Sequence, residues 1–238
     1  MHQLSTKFLI QPTHNQYTPT NAHFIMARNF VSNKDESVRL FRNPVLHMFS
    51  HVHWSTPLIF WVPVVFYSLY KGFANGASAL ATLGLFVVAM GFWTLAEYLL
   101  HRYVFHYHAT TEWGRRINFL THGVHHDYPN DSKRLVMPPL LGLPIAMVFY
   151  VAFYYSLGSI YVHPFFAGFI TGYLIYDMMH YALHHAKFTS PFFQEMKTHH
   201  MVHHYNDAES GFGVSSKLWD VLFRTLFAAR KREVAQEV

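Results

Sequence analysis

Residues 137–185 read MPPLLGLPIAMVFYVAFYYSLGSIYVHPFFAGFITGYLIYDMMHYALHH. Two apolar runs, 137–157 and 160–179, each approach the ~20 residues that cross a bilayer as a helix. Only Gly158-Ser159 separates them, so the pair is expected to form a helical hairpin. Two further runs, 54–70 and 78–100, are joined by residues 71–77 and form a second expected hairpin. Pro63 falls inside the first of these and is predicted to kink it. The fold class that follows is an all-α integral membrane protein of four transmembrane helices in two hairpins.

Charge placement supports this plan. Of 18 Lys and Arg residues, 17 lie before the first run, between the second and third, or after the fourth; only Lys71 lies on the other side. The positive-inside rule then puts both termini, the middle loop and every clustered histidine in the cytoplasm. The setting expected is a bacterial inner membrane, or endoplasmic reticulum in a eukaryotic cell. Only 13% of the chain is charged, against roughly 25% in a soluble domain. The net charge of +5 is spread over loops, which favours contact with anionic lipid over nucleic acid. With no cysteine, thiolate zinc sites, Fe–S clusters and disulfides are excluded. Residues 1–45 form a polar segment without a signal-peptide pattern, and Met26 is a possible alternative start. Residues 46–238 form the membrane domain with its cytosolic cap.

Ten histidines form four clusters at the ends of the apolar runs: His101-x4-His106, His122-x2-His125-His126, His180-x3-His184 and His200-x2-His203-His204. Neutral imidazole is the commonest metal ligand near physiological pH, and helical residues three or four apart share a face. Ten ligands suit two ions with five each. An all-nitrogen set suits iron, zinc or copper. A redox pair, iron, is expected as the working metal, with zinc as a possible occupant of purified protein. Glu97 stands one turn before His101, and Asp177 three residues before His180. Each is expected to accept a ring N–H of a bound histidine. His108, His185 and His199 sit beside the clusters and are expected to pack or hydrogen-bond. His47, His51 and His53 lie where the chain enters the membrane, and His163 lies on the opposite side.

Three strings resemble the fatty acid hydroxylase superfamily, most closely its fatty acid 2-hydroxylase branch: THGVHHDYPNDSKRLVMPP from Thr121, YDMMHYALHH from Tyr176 and MKTHHMVHHYNDAESGFGVSSKLWDVLFRT from Met196. The resemblance implies a four-span enzyme with a cytosolic two-metal cap, using two irons and dioxygen to hydroxylate C2 of a long acyl chain. Carried over residue by residue, the ligands are His101, His106, His122, His125, His126, His180, His184, His200, His203 and His204. His199 and His200 compete for one place, and the spacing to His203 favours His200. Many eukaryotic relatives carry an N-terminal cytochrome b5 domain. Here the 45 residues before the core are too few for one and hold no His-Pro-Gly-Gly. A separate electron donor, cytochrome b5-like or ferredoxin-like, is therefore expected.

The substrate is expected to be a free fatty acid or the acyl chain of a ceramide or other membrane lipid. It is expected to lie under the cap among aromatics such as Tyr98, Phe105 and Tyr176. Tyr128, Asp131, Lys133 and Arg134 are candidates for contact with a polar headgroup. Residues 216–232 show apolar and basic positions at helical spacing and are expected to form an amphipathic surface helix. Two competing readings are a desaturase, sterol oxidase or carotenoid hydroxylase with the same site, and a metal-binding or transport protein. Ligands at span ends rather than mid-membrane count against transport.

Overall fold

The computed structural model describes residues 30–227. Residues 1–29, which include Met26, and residues 228–238 lie outside the described part. Every regular element described is helical: α1 (Pro44–Phe49), α2 (Thr56–Ala74), α3 (Ala79–Leu100), α4 (Glu112–Asn118), α5 (Val124–Asp127), α6 (Pro139–His185), α7 (Pro191–Tyr205) and α8 (Leu218–Leu222). A π-turn, His101–Phe105, prolongs α3, and a second, Phe119–Gly123, joins α4 to α5.

Three helices are long and apolar enough to cross a membrane: α2, α3 with its π-turn, and α6. Their apolar stretches are only 28%, 22% and 17% buried within the protein. A soluble core would hide such faces, whereas here Ile59, Phe66, Leu80, Val88 and Tyr155 point outward. Membrane lipid is the solvent that this surface requires.

The 47 residues of α6 are not one rod. Gly158 has φ 74° and ψ 175°, outside helical space. The ring centroids of Phe149 and Phe169 lie 4.7 Å apart, and Phe153 meets Phe165 at 4.8 Å. Twenty residues of unbroken helix would put the first pair roughly 30 Å apart. The two arms therefore fold back on each other, as the Gly158-Ser159 break predicted. The positive φ explains the glycine, since other residues resist that region. In contrast, α2 runs as one element through Pro63.

The helices of α6 pack against both α2 and α3. Close approach depends on the pair Gly168-x3-Gly172. A Cβ on Gly168 would lie 2.2 Å from the Phe86 carbonyl oxygen, and one on Gly172 would lie 2.6 Å from Trp93 Cβ. Small residues at such a spacing let membrane helices meet backbone to backbone. An aromatic core fills the remainder, with Trp93 5.0 Å from Phe169 and 5.4 Å from Tyr173. At one end, Asn75 Nδ2 donates to the Ser159 carbonyl at 3.0 Å, so the two turns meet. The histidines sit at the opposite ends of the same helices.

Residues 30–43 are not a free-standing segment. Val31 and Ser32 donate to the Asp127 carbonyl, Asp35 accepts from Ser132, and Ser37 donates to Asp131 at 2.5 Å. The described part of the N-terminal segment is thus laced onto the cap. The expected amphipathic helix is also shorter than its periodicity indicated. It ends at Leu222 because Arg224 adopts φ 56° and Thr225 N–H turns back to the Asp220 carbonyl at 2.8 Å. Residues 228–232 of that stretch lie outside the description.

Candidate metal centre

The five-residue spacing of His101 and His106 looks wrong for a shared site, because residues five apart stand about 140° apart round an α-helix. The π-turn resolves this. His106 N–H reaches the His101 carbonyl at 3.0 Å, an i→i+5 bond that brings the second ring back over the first.

Ten histidines converge into two groups of five. His101, His106, His122, His126 and His203 form the first; His125, His180, His184, His200 and His204 form the second. Within each group the ligand atoms lie within 4.8 Å of one another. The two HxxHH motifs do not deliver all their rings to one point. In each, the first and last imidazoles, four apart, share a group, and the middle one crosses to the other. His125 crosses from the pair His122/His126, which spans the second π-turn and α5, and His203 crosses from the α7 pair His200/His204. On a helix the i+3 and i+4 positions differ by about 100°, which makes this split possible.

The nitrogen geometry fits a cation. In the first group His122 Nε2 lies 3.1 Å from His101 Nε2, 3.1 Å from His106 Nε2 and 3.0 Å from His126 Nε2. One ring nitrogen cannot hydrogen-bond to three others at once. In the second group Nε2 separations are 2.9 Å for His180–His125, 2.9 Å for His184–His200 and 3.2 Å for His204–His200. Nitrogens ~2.1 Å from one ion and at right angles to each other would stand roughly 3.0 Å apart. Converging lone pairs at that spacing could be satisfied by a metal ion. Burial, reinforced by neighbouring imidazoles, holds His122, His125, His126, His200 and His204 well below the usual histidine range. Burial also takes His203 down to about 4. These rings are therefore neutral at physiological pH, the form that ligates.

The groups differ behind the rings. In the first, His101 Nδ1 donates to the Phe212 carbonyl at 2.6 Å and His203 Nδ1 to the Ser210 carbonyl at 2.7 Å. In the second, His180 hydrogen-bonds the backbone of Leu135, while Nδ1 of His125, His184, His200 and His204 is buried without a partner among the described residues. His106 and His126 of the first group are half-buried; all five of the second are buried.

The flanking carboxylates do not do what their spacing indicated. Glu97 does not take the His101 ring: its carboxylate accepts from Val214 N and Ser215 N, each at 2.8 Å, and from Ser215 Oγ. Asp177 accepts from Met137 N at 3.3 Å and Tyr173 OH at 3.1 Å, tying the start of α6 to its end. His199 stays outside both groups and donates to Asp220 at 3.1 Å. His108 is exposed beside Glu209, and the His185 ring packs at a tilt against Tyr181. His163 sits near Tyr150, at the far end from the centre. Sequence reasoning missed the carbonyls of Ser210 and Phe212. The two glycines around Phe212 were the available signal for a tightly folded loop.

A cavity of about 310 Å³ ends on both groups, with His122 of the first and His125 and His180 of the second in its wall. Leu46, Phe49, Leu120 and Leu140 make its sides apolar, and Phe105 and Tyr176 line it as expected. Tyr98 does not: it stacks on Phe223, and its hydroxyl shares a 3.0 Å bond with Thr225. Arg134 lines the cavity, but its guanidinium is occupied by Asp131 at 2.8 Å, by His51 at 2.9 Å and by the Val38 carbonyl. This buried pair pins the N-terminal segment. Lys133 is exposed and Tyr128 half-buried.

A sequence model of the fatty acid hydroxylase family matches residues 86–225. The chain is 37% identical to the fatty acid 2-hydroxylase of Rattus norvegicus, over 79% of this chain and 56% of that protein. It is 38% identical to a dihydroceramide fatty acyl 2-hydroxylase of Arabidopsis thaliana, over 74% of this chain and 73% of the relative. It is also 38% identical to a ceramide very long chain fatty acid hydroxylase of Saccharomyces cerevisiae, over 79% and 49%. A solved structure of full-length scs7p, in which only the hydroxylase domain is visible, superposes with a TM-score of 0.75 at 36% identity, covering 80% of this chain and 72% of that one. The chain thus spans about half the length of the rat and yeast relatives. All ten clustered histidines fall inside the matched stretch, and on that ground the chain belongs to the fatty acid hydroxylase family.

Proposed function

We propose that the protein hydroxylates a lipid acyl chain at C2, using dioxygen and a pair of irons held by the two five-histidine groups. The observation that carries this reading is the apolar cavity whose wall contains imidazoles of both groups. An acyl chain lying among Leu46, Phe49, Leu120 and Leu140 would present its carboxyl-proximal carbons to the paired centres. When bound, the irons supply the redox chemistry that activates dioxygen and oxidises an unactivated C–H bond. One oxygen atom goes to the product and one to water, which requires two electrons and two protons from outside the site. A separate donor protein is the proposed source.

The chain's own residues do the positioning. The buried imidazoles stay neutral and keep Nε2 directed at the centres. The cavity walls exclude water from the acyl chain and limit which carbon reaches the histidines. The Asp131–Arg134 pair, 2.8 Å apart, holds residues 37–38 over the cap and so shapes the cavity. We read the two arms of α6 as two crossings, giving four in all. We place the clustered histidines at the cytoplasmic face, the side that the charge distribution favours.

Mass spectrometry of hydrolysed lipids from cells expressing wild type or His125→Ala, grown under oxygen-18 dioxygen, tests this. 2-Hydroxy fatty acids carrying the label with wild type alone support the reading, and the intact lipid class bearing them names the substrate. A new double bond without added oxygen would instead indicate a desaturase. No modified lipid from metal-loaded protein supplied with a reductase would remove the assignment.

A further inference from the structure

Asp220 touches no histidine of either metal group, yet it is completely buried and carries four hydrogen bonds. Its Oδ1 accepts from Phe212 N at 2.9 Å and Thr225 Oγ1 at 2.7 Å; its Oδ2 accepts from Gly213 N at 2.8 Å and His199 Nε2 at 3.1 Å. Two of the four donors are successive amides of the loop that supplies the carbonyls behind His101 and His203. The approach is so close that a Cβ on Gly213 would lie 2.8 Å from Asp220 Oδ2 and 2.1 Å from the Ser216 carbonyl oxygen.

Glu97 grips the next two amides, Val214 N and Ser215 N. Four consecutive N–H groups, residues 212 to 215, thus point at two buried carboxylates. Gly211 N–H closes the loop on the Thr225 carbonyl at 2.9 Å, and Thr225 N–H returns to the Asp220 carbonyl at 2.8 Å. With its amides fixed on one side, the loop presents the carbonyls of Ser210 and Phe212 to His203 and His101. Nothing equivalent stands behind His125, His184, His200 or His204.

We propose that Asp220 is a positioning residue for one metal centre alone: by holding the Phe212 and Gly213 amides it sets the carbonyls that orient His101 and His203. The inference rests on the two five-histidine groups each holding an ion. The partners behind metal-bound histidines fix ring orientation, and their loss costs roughly 10- to 100-fold in metal affinity. Here that loss falls on the first centre and spares the second.

The test is removal of zinc by a chelator from the full chain in detergent, loaded with zinc alone. Wild type is expected to release metal in two phases. His106→Ala removes one phase and His184→Ala the other, which assigns them. Asp220→Ala is expected to speed the first-centre phase roughly tenfold or more and leave the other within about twofold. Asp220→Asn keeps the Oδ1 acceptor and is expected to recover part of the slow release. If Asp220→Ala does not fold, judged by helical content and melting, Asp220→Asn and Thr225→Val carry the test with smaller shifts in the same phase. Equal acceleration of both phases, or no change in either, overturns the proposal. Failure of wild type to bind zinc at all removes the metal reading instead.

Discussion

The two five-histidine groups follow one plan in two materials. Each takes a close pair of histidines from the end of a long apolar helix, the outer pair of one HxxHH motif and the middle ring of the other. The second centre is built on helical faces: His180 and His184 on α6, His200 and His204 on α7. Regular helix already aims those rings, and all are buried. The first centre hangs on irregular backbone: a π-turn for His101 and His106, a second π-turn around His122, and loop carbonyls behind His101 and His203. Two of its rings remain half-buried. Equal ligand counts therefore do not mean equal sites. One is aimed by secondary structure, the other by a loop held through two carboxylates.

The largest expected effect breaks the comparison at its crossings. His125→Ala and His203→Ala each remove the ring that ties one motif to the other centre. Each is expected to take 2-hydroxy product below detection, with one metal retained in elemental analysis. Next comes Gly213→Ala, whose Cβ would meet the Ser216 carbonyl oxygen at 2.1 Å. A cost of about 1–3 kcal/mol is expected, with metal lost from the first centre preferentially. Gly168→Ala, which would press on Phe86 oxygen at 2.2 Å, is expected to lower melting temperature with no preference between centres.

A smaller effect separates the two acids. Glu97→Gln disturbs the loop and is expected to speed metal loss from the first centre. Asp177→Asn loosens the Met137 and Tyr173 contacts and is expected to leave metal retention unchanged. The acids reverse roles if Asp177→Asn is the one that loses metal.

Acidification tests the neutrality of both centres. His122, His125, His126, His200 and His204 titrate well below the usual value when folded, and His203 at about 4, all chiefly through burial. In the unfolded chain the same rings take up protons near ~6.5. Below that pH the unfolded state binds more protons, so stability must fall as pH falls from ~6.5 towards 4. Melting of metal-free protein across this range checks the sign; rising stability would contradict it. The smallest effects belong to His108→Ala and His185→Ala, which are expected to stay within about 0.5 kcal/mol of wild type and to keep both metals.

Much of this was legible in the sequence because strong physical constraints write simple patterns. Uninterrupted apolar runs marked the long helices, and Gly158-Ser159 marked the fold in α6. Ten histidines at the ends of the apolar runs marked the centre. What the spacing did not reveal was partition. HxxHH shows three rings within one turn, and only the facing helices decide that His125 and His203 cross over. A π-turn leaves no periodic mark, so the fit of His101 with His106 emerged only from the His101–His106 backbone bond. Glu97 and Asp177 misled because a carboxylate one turn from a histidine satisfies the spacing rule whatever it bonds. Backbone amides, invisible to side-chain patterns, won both. The amphipathic stretch after Ser216 failed where Arg224 leaves helical space, a turn dictated by Asp220 and Thr225.

Anomalous diffraction from metal-loaded crystals tests the central claim most directly. The account predicts two peaks, one ~2.1 Å from Nε2 of His101, His106, His122, His126 and His203, the other from His125, His180, His184, His200 and His204. A single peak, or a peak that takes all three imidazoles of one HxxHH motif, would contradict it.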